Sequence, residues 1–414
     1  MKTCAVICEL NPFHNGHEYL FRKARSLSGA DFLIAIMSGD FVQRGLPAIC
    51  DKYARTKMAL DGGADLVVEL PVMYATASAD YFAQGGVSLA DSMGVVDFIA
   101  FGSECGDLDM LKSCAGLREE KDPGLHILSQ GADSDKTKNY RITELIKEGN
   151  SYAKAYAMVT GNEFASNDML AVRYVKSIDK LDSRMEPLCI KRMGAGYNSS
   201  GTNDVSALSV RRKIASHSDF AHLVPKYTYR TLDAVAGSSF PICNDDFSIQ
   251  LHTLISRIIE EENQQDAFLA DYMDVSDNIA GRIRSNISKF TDYERFVSAV
   301  HSKEYTKSRI YRALLHILLD IKKTDYAGDA EDCAASYVRI LGFRKGATSL
   351  LSALKEACMI PVISKAGDAA SILDDEEMYL FSKDIKAANM YDMACTFKYK
   401  KEPVHDYARE VVIV

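Results

Sequence analysis

The chain has 414 residues, more than one ordinary domain holds, and 47% of them are hydrophobic against 26% charged. That composition supports a buried core and excludes a disordered or low-complexity protein. The net charge of −8 excludes a globally basic nucleic-acid coat, though not a local basic face.

The first hundred residues alternate between two periods. Cys4-Ala5-Val6-Ile7-Cys8 is a continuous apolar run, the pattern of a strand buried on both faces. Residues 16–26 follow as a helix with Tyr19, Leu20 and Ala24 on its apolar stripe, and Phe32-Leu33-Ile34-Ala35-Ile36-Met37 as a second strand closed by Ser38-Gly39. Residues 52–59 read as a helix, 66–70 as a third strand, 79–93 as a helix, and 95–101 as a fourth strand ending at Gly102. Asp51, Lys52 and Arg55 read as capping and surface charge. Strands and helices alternating at this spacing predict a parallel sheet with right-handed crossovers, whose ligands bind beyond the carboxyl ends of the strands. Three of those ends carry polar or glycine-rich loops, at 9–16, 38–45 and 102–107.

An insertion is expected around 107–150, then a helix at 167–177, a last strand at 187–190, and a helix capped by Ser206. Beyond residue 216 buried-strand runs largely give way to helical periodicity. Ile310, Leu314, Leu318 and Ile321 form one stripe, and Val362-Ile363-Ser364 is a possible strand. The predicted fold class is therefore α/β, with a Rossmann-like parallel-sheet domain over 1–216 and a mainly α-helical domain over 217–414.

The ten cysteines contain no Cys-x-x-Cys pair, which argues against a zinc ribbon and, in a chain this long, against a disulfide scaffold. The apolar run at 4–8 is too short for a signal peptide, and no run reaches the ~18 residues of a membrane span. The expectation is a cytoplasmic protein with no membrane partner and no protein-bound metal.

The sharpest chemical feature is Asn11-Pro12-Phe13-His14-Asn15-Gly16-His17, between the first strand and the first helix. A phosphate needs close backbone approach, which Gly16 allows, and the free N–H groups of a helix start. Two histidines on that turn can hydrogen-bond phosphate oxygens and steady charge on a departing pyrophosphate. Gln43 and Arg44, on the second strand-end loop, face the same region and are further candidates.

Pro12-Phe13-His14-Asn15-Gly16-His17 resembles the HIGH motif of the nucleotidyltransferase superfamily, and Ser206-Ala207-Leu208-Ser209-Val210-Arg211 loosely resembles its serine-rich loop, which makes Ser206 and Arg211 candidates. The resemblance narrows through blocks that occur in order: Glu9 to His17, Ser38-Gly39-Asp40-Phe41-Val42-Gln43-Arg44-Gly45, Gly63-Ala64-Asp65-Leu66-Val67-Val68-Glu69-Leu70-Pro71, Phe101-Gly102-Ser103-Glu104, Lys191-Arg192-Met193-Gly194-Ala195-Gly196-Tyr197 and Tyr337-Val338-Arg339-Ile340-Leu341-Gly342-Phe343. Together they resemble the bacterial tRNA(Met) cytidine acetate ligase family across nearly the whole chain.

That resemblance implies a nucleotidyltransferase domain that activates acetate with ATP, carrying Mg²⁺ on the nucleotide. The acetyl-adenylate then acetylates N4 of the wobble cytidine of elongator tRNA(Met). It implies an ATP site made of Ile7, Cys8, Glu9, Leu10, Asn11, Pro12, Phe13, His14, Asn15, Gly16, His17, Glu18, Tyr19 and Leu20, completed by Gly102, Asn167 and Arg192, with His14, His17 and Arg192 in catalytic roles. The sequence departs from the family at Leu20, where a histidine is common, and at Asp168, where a second asparagine is usual. Residues 303–323 and 337–366 carry net positive charge with interleaved aromatics, and the resemblance makes them the expected tRNA-binding surface. A coenzyme-type small-molecule nucleotidyltransferase and a catalytically dead RNA-docking module are the alternative readings.

Overall fold

The structure is a computed structural model. It describes all residues except 117–140, 142, 143, 146, 147, 149–151, 161–164, 193–205, 265, 266 and 327. Most of the insertion expected around 107–150, and the Gly194–Asn198 segment, lie outside the described residues.

Strand β1 (Thr3–Cys8) leads into helix α1 (Asn15–Ser28), followed by β2 (Phe32–Ser38), a small hairpin of β3 (Phe41–Val42) and β4 (Leu46–Pro47), and helix α2 (Lys52–Asp61). Then come β5 (Leu66–Leu70), β6 (Phe98–Ser103) and β7 (Glu186–Lys191), with helices Ala79–Ser92 and Ser166–Lys180 in the crossovers. The chain beyond residue 216 is mostly helical but returns β8 (Val338–Phe343), β9 (Val362–Ile363) and β10 (Val412–Ile413) to the same sheet. The strand order is β10-β8-β5-β2-β1-β6-β7, with β9 paired to β8. Within this sheet all pairings are parallel except β5–β8, and the separate β3–β4 hairpin is antiparallel.

Alternation along β1 sorts the core into two layers. Ala5 and Ile7 join one cluster under helices Ala79–Ser92 and Ser166–Lys180, while Cys4, Val6 and Cys8 join another under α1 and α2. Burial of both faces explains the unbroken apolar strands, because each side chain finds a helix to cover it. The order reverses at β1: β2 and β5 lie on one side, β6 and β7 on the other. In such sheets the crevice above this reversal is where ligands bind.

The strand β8 departs from the mainly helical reading for a physical reason. Arg339, the second residue of β8, lies directly opposite Glu69 of β5 and pairs with that carboxylate at 3.0 Å. A charge inside an apolar run hides a strand that a cross-strand ion pair makes acceptable. The surface reading of Lys52 and Arg55 is also corrected: both are 0% exposed. Lys52 Nζ lies 2.9 Å from Glu69 and 3.1 Å from Asp406, whose carboxylate also meets Arg339 at 2.7 Å. Arg55 donates to the carbonyls of Cys50, Glu9, Ser38 and Gly39, which ties together the loops that follow β1 and β2. Asp51 does cap α2, accepting from the Ala54 N–H at 2.9 Å.

Candidate active site

Helix α1 starts with a capping box built from two imidazoles. His14 Nδ1 accepts from the Gly16 N–H at 3.0 Å, and His17 Nδ1 accepts from the His14 N–H at 3.3 Å. The rings stack with centroids 3.8 Å apart. Since both Nδ1 atoms accept, the neutral tautomer places each remaining proton on Nε2, leaving two N–H donors at the helix start. Burial, with Arg192 and Arg211 adding to it, pushes His14 down to about 3. Burial, with His14 and Arg192, holds His17 well below its ordinary value. Both are therefore neutral donors near neutral pH.

The turn beneath is fixed by packing. Leu10 (φ 49°) and a cis Asn11–Pro12 peptide bring the chain from β1 to α1. Leu10, Asn11, Pro12 and Phe13 are buried under the turn. Phe13 packs edge-on to Phe21 at 5.4 Å, and a Cβ on Gly62 would come within 2.4 Å of its ring. Asn11 Oδ1 accepts from the Ile49 N–H at 2.8 Å, and its carbonyl accepts from Arg211 at 2.6 Å. Asn15 and Glu18 face the other way, bonding the His222 carbonyl and the Tyr227 hydroxyl.

Above the strand ends lies a cleft of about 240 Å³ lined by Ile7, Cys8, Glu9, His17, Leu20, Gln43, Arg44, Gly102, Asn167 and Arg192, with Ala79, Phe82, Phe101, Leu170 and Tyr174 among its other walls. A recess of about 40 Å³ adjoins it, lined by His14, Gly16, His17, Tyr19, Leu20, Gly102 and Arg192. Residues from six separate stretches thus converge on one crevice. Gly102 lets Arg192 lie close against the strand end, since a Cβ there would sit 3.1 Å from Arg192 Cγ and push the side chain aside by a few tenths of an ångström. Ser206 does not reach the cleft walls. It shares a reciprocal capping box with Ser209 at the start of helix Ala207–Ala215, which aims Arg211 at the turn.

Two carboxylates absent from the expected site organise it. Glu104 Oε1 accepts from Asn167 Nδ2 and lies 3.3 Å from Arg192 Nε, so one side chain holds both. Asp168 is buried and gathers the turn after β6, accepting from the Ser103 hydroxyl and from the N–H groups of Glu104 (2.9 Å) and Cys105 (3.2 Å). A carboxylate accepts such N–H bonds better than a neutral amide would, which gives the charge of Asp168 a use. The sequence signals for Glu104 were its place directly after a strand end and its presence in the Phe101-Gly102-Ser103-Glu104 block. A larger groove of about 480 Å³ between helices Ala79–Ser92 and Ser166–Lys180 contains none of the expected site residues.

A parallel sheet with a His-capped helix at its point of reversal and an arginine opposite defines a nucleotide-handling enzyme. The sequence profile of the HIGH Nucleotidyl Transferase family matches residues 1–406, and the chain belongs to that family. A relative from Acetivibrio thermocellus named tRNA(Met) cytidine acetate ligase is 32% identical over 424 residues, covering 100% of both chains. One from Thermoanaerobacter sp. with the same name is 36% identical over 413 residues, covering 95% of this chain and 96% of its own. Within the family the chain therefore falls among the tRNA(Met) cytidine acetate ligases. The crystal structure of Thermotoga maritima TmcAL bound with alpha-thio ATP matches with a TM-score of 0.83 at 26% identity, covering 100% of both chains.

The basic stretches need correction. Arg339 and Tyr337 are buried and Arg312 pairs with Asp274 at 2.8 Å, so none of the three is available to a polyanion. Lys303, Lys307, Lys323, Lys345, Lys355 and Lys365 are exposed. Among the described residues no helix is long and apolar enough to cross a membrane.

Proposed function

We propose that the chain is an ATP-dependent acetate–tRNA ligase that forms acetyl-adenylate and transfers the acetyl group to N4 of the wobble cytidine of elongator tRNA(Met). The observation that carries this reading is the pair of neutral imidazoles capping α1 beside Arg192. Acetate oxygen attacks the α-phosphorus in line. The Nε2–H groups of His14 and His17 and the Arg192 guanidinium, held by Glu104, stabilise the charge that develops on the departing pyrophosphate. Neutral donors suit this role because they neither lose their proton to the phosphate nor depend on pH near 7. Gly102 and Asn167 complete the nucleotide side. Mg²⁺ bound by the triphosphate would neutralise part of its charge. The exposed lysines of the second half are the proposed contacts for tRNA phosphates.

The test is acetate-dependent ATP–pyrophosphate exchange, with and without elongator tRNA(Met). Exchange that requires acetate, followed by acetyl transfer to the tRNA, is expected. Absence of exchange under both conditions would favour the coenzyme-type nucleotidyltransferase, which the names of the relatives do not support.

A further inference from the structure

The second half-reaction needs a group to accept a proton. The lone pair of the cytosine amine is delocalised into its ring, so N4 attacks an acyl carbon effectively only if its proton is removed as the bond forms. Among the described residues the cleft contains several titratable side chains, and their surroundings leave one suited to the task. The Nδ1 atoms of His14 and His17 are occupied by backbone N–H groups, and both rings resist protonation through burial and nearby arginines. Burial pushes the Cys8 thiol and the Tyr174 phenol upward, so both keep their protons. Among the described residues lining the cleft, Glu9 is the only carboxylate.

Its placement fits the task. Glu9 follows β1, the strand at which the sheet order reverses. On one side stand the nucleotide-facing groups at Gly102, Asn167 and Arg192. Gln43 and Arg44, from the loop after β2, line the same cleft. Its carboxylate is fixed through Oε1, which accepts the Gln43 N–H at 3.1 Å, while Arg55 holds its carbonyl at 2.8 Å. The second oxygen, Oε2, has no hydrogen-bond partner among the described residues.

We propose that Glu9 is the general base of acyl transfer, a role that rests on the adenylate reading above. The N4 lone pair forms the new C–N bond, and the bond between the acyl carbon and the phosphate oxygen breaks, its electron pair leaving with AMP. The amine proton passes to Glu9 and then to water, so amine and acetyl-adenylate give amide, AMP and one proton. Cys8, Tyr174 and Arg211 lie within electrostatic reach of Glu9, and Arg55 binds its carbonyl.

The test uses the full-length protein and Glu9→Gln, an isosteric change that keeps an acceptor for the Gln43 N–H. Two rates are compared: acetate-dependent ATP–pyrophosphate exchange, and single-turnover acetyl transfer from enzyme-bound acetyl-adenylate to elongator tRNA(Met). Transfer is expected to fall on the order of 10²–10⁴-fold, the usual worth of a general base, and by clearly more than exchange, which the change also lowers because Glu9 lines the nucleotide cleft. Glu9→Asp, which keeps a carboxylate, should recover part of the transfer rate that Glu9→Gln loses. Equal losses in both rates would assign Glu9 to adenylation and overturn the proposal. So would transfer within about threefold of wild type. Wild-type protein that shows no acetate-dependent exchange would refute the adenylate reading itself, and this role with it.

Discussion

His14 has two duties that one substitution can separate. It caps α1 through Nδ1, and it offers Nε2–H at the helix start. Asparagine is among the best N-caps, so His14→Asn preserves the cap but withdraws the ring donor. His14→Ala removes both. Losing a cap costs about 1 kcal/mol. Losing one preorganised donor to developing charge costs on the order of 10²–10³-fold in rate, or about 2.7–4 kcal/mol. His14→Asn should therefore unfold in urea within about 1 kcal/mol of wild type, the small penalty reflecting the lost ring stack with His17. Its acetate-dependent exchange should nonetheless fall at least about 100-fold. His14→Ala should lose the same activity and about 1 kcal/mol more stability. Exchange within about tenfold of wild type in His14→Asn, with the protein folded, would refute the assignment of the imidazole as a transition-state donor.

Three further outcomes follow from the same geometry. His14 is held near 3 when folded, against about 6.5 when unfolded, so between those values the unfolded chain binds more protons. Stability is therefore lost as pH falls from about 6.5 towards 3, and the urea midpoint should drop more on acidification in wild type than in His14→Asn. Lys52→Met leaves Glu69 and Asp406 facing Arg339 alone and should cost about 3–5 kcal/mol in urea unfolding. Adding Glu69→Gln restores a balanced Arg339–Asp406 pair and should recover part of that loss, whereas a double variant no better than the single would contradict the charge-balance argument. Glu104→Ala frees both Asn167 and Arg192 and should raise KM for ATP about tenfold with a smaller effect on kcat; an unchanged KM would mean that the two side chains are oriented without it.

The parallel sheet and the helix start were legible because each is a local pattern. Apolar runs of strand length, separated by helical periods, leave few topologies. His14-Asn15-Gly16-His17 directly after a strand places two imidazoles at a helix N-terminus whatever the tertiary detail. What stayed hidden depends on partners distant in sequence. Arg339 reads as a charge on a helical surface until Glu69 is placed opposite it, and Lys52 reads as surface until Asp406 arrives. The positioning role of Glu104 requires Asn167 and Arg192 to be brought beside it, which no spacing reveals. Gln43 and Arg44 were legible as loop residues facing the site, and they do line the cleft. Ser206 was legible as a cap, and it serves as one while Arg211 reaches the turn.

The buried cluster around Lys52 also sets a timetable. Lys52 and its partner Asp406 are 354 residues apart, and β10 pairs with β8 only near the far end of the described chain. At synthesis rates of about 5–20 residues per second, roughly 20–70 s separate the emergence of the two partners. During that interval β1, β2, β5 and α2 are already made, yet Lys52 and Glu69 lack half of their counter-charges. The half of the molecule that handles the nucleotide therefore cannot reach its final packing first and wait for the rest. Its maturation is delayed until the late segment docks, and a ribosome stalled before residue 406 releases a chain with an unfinished core.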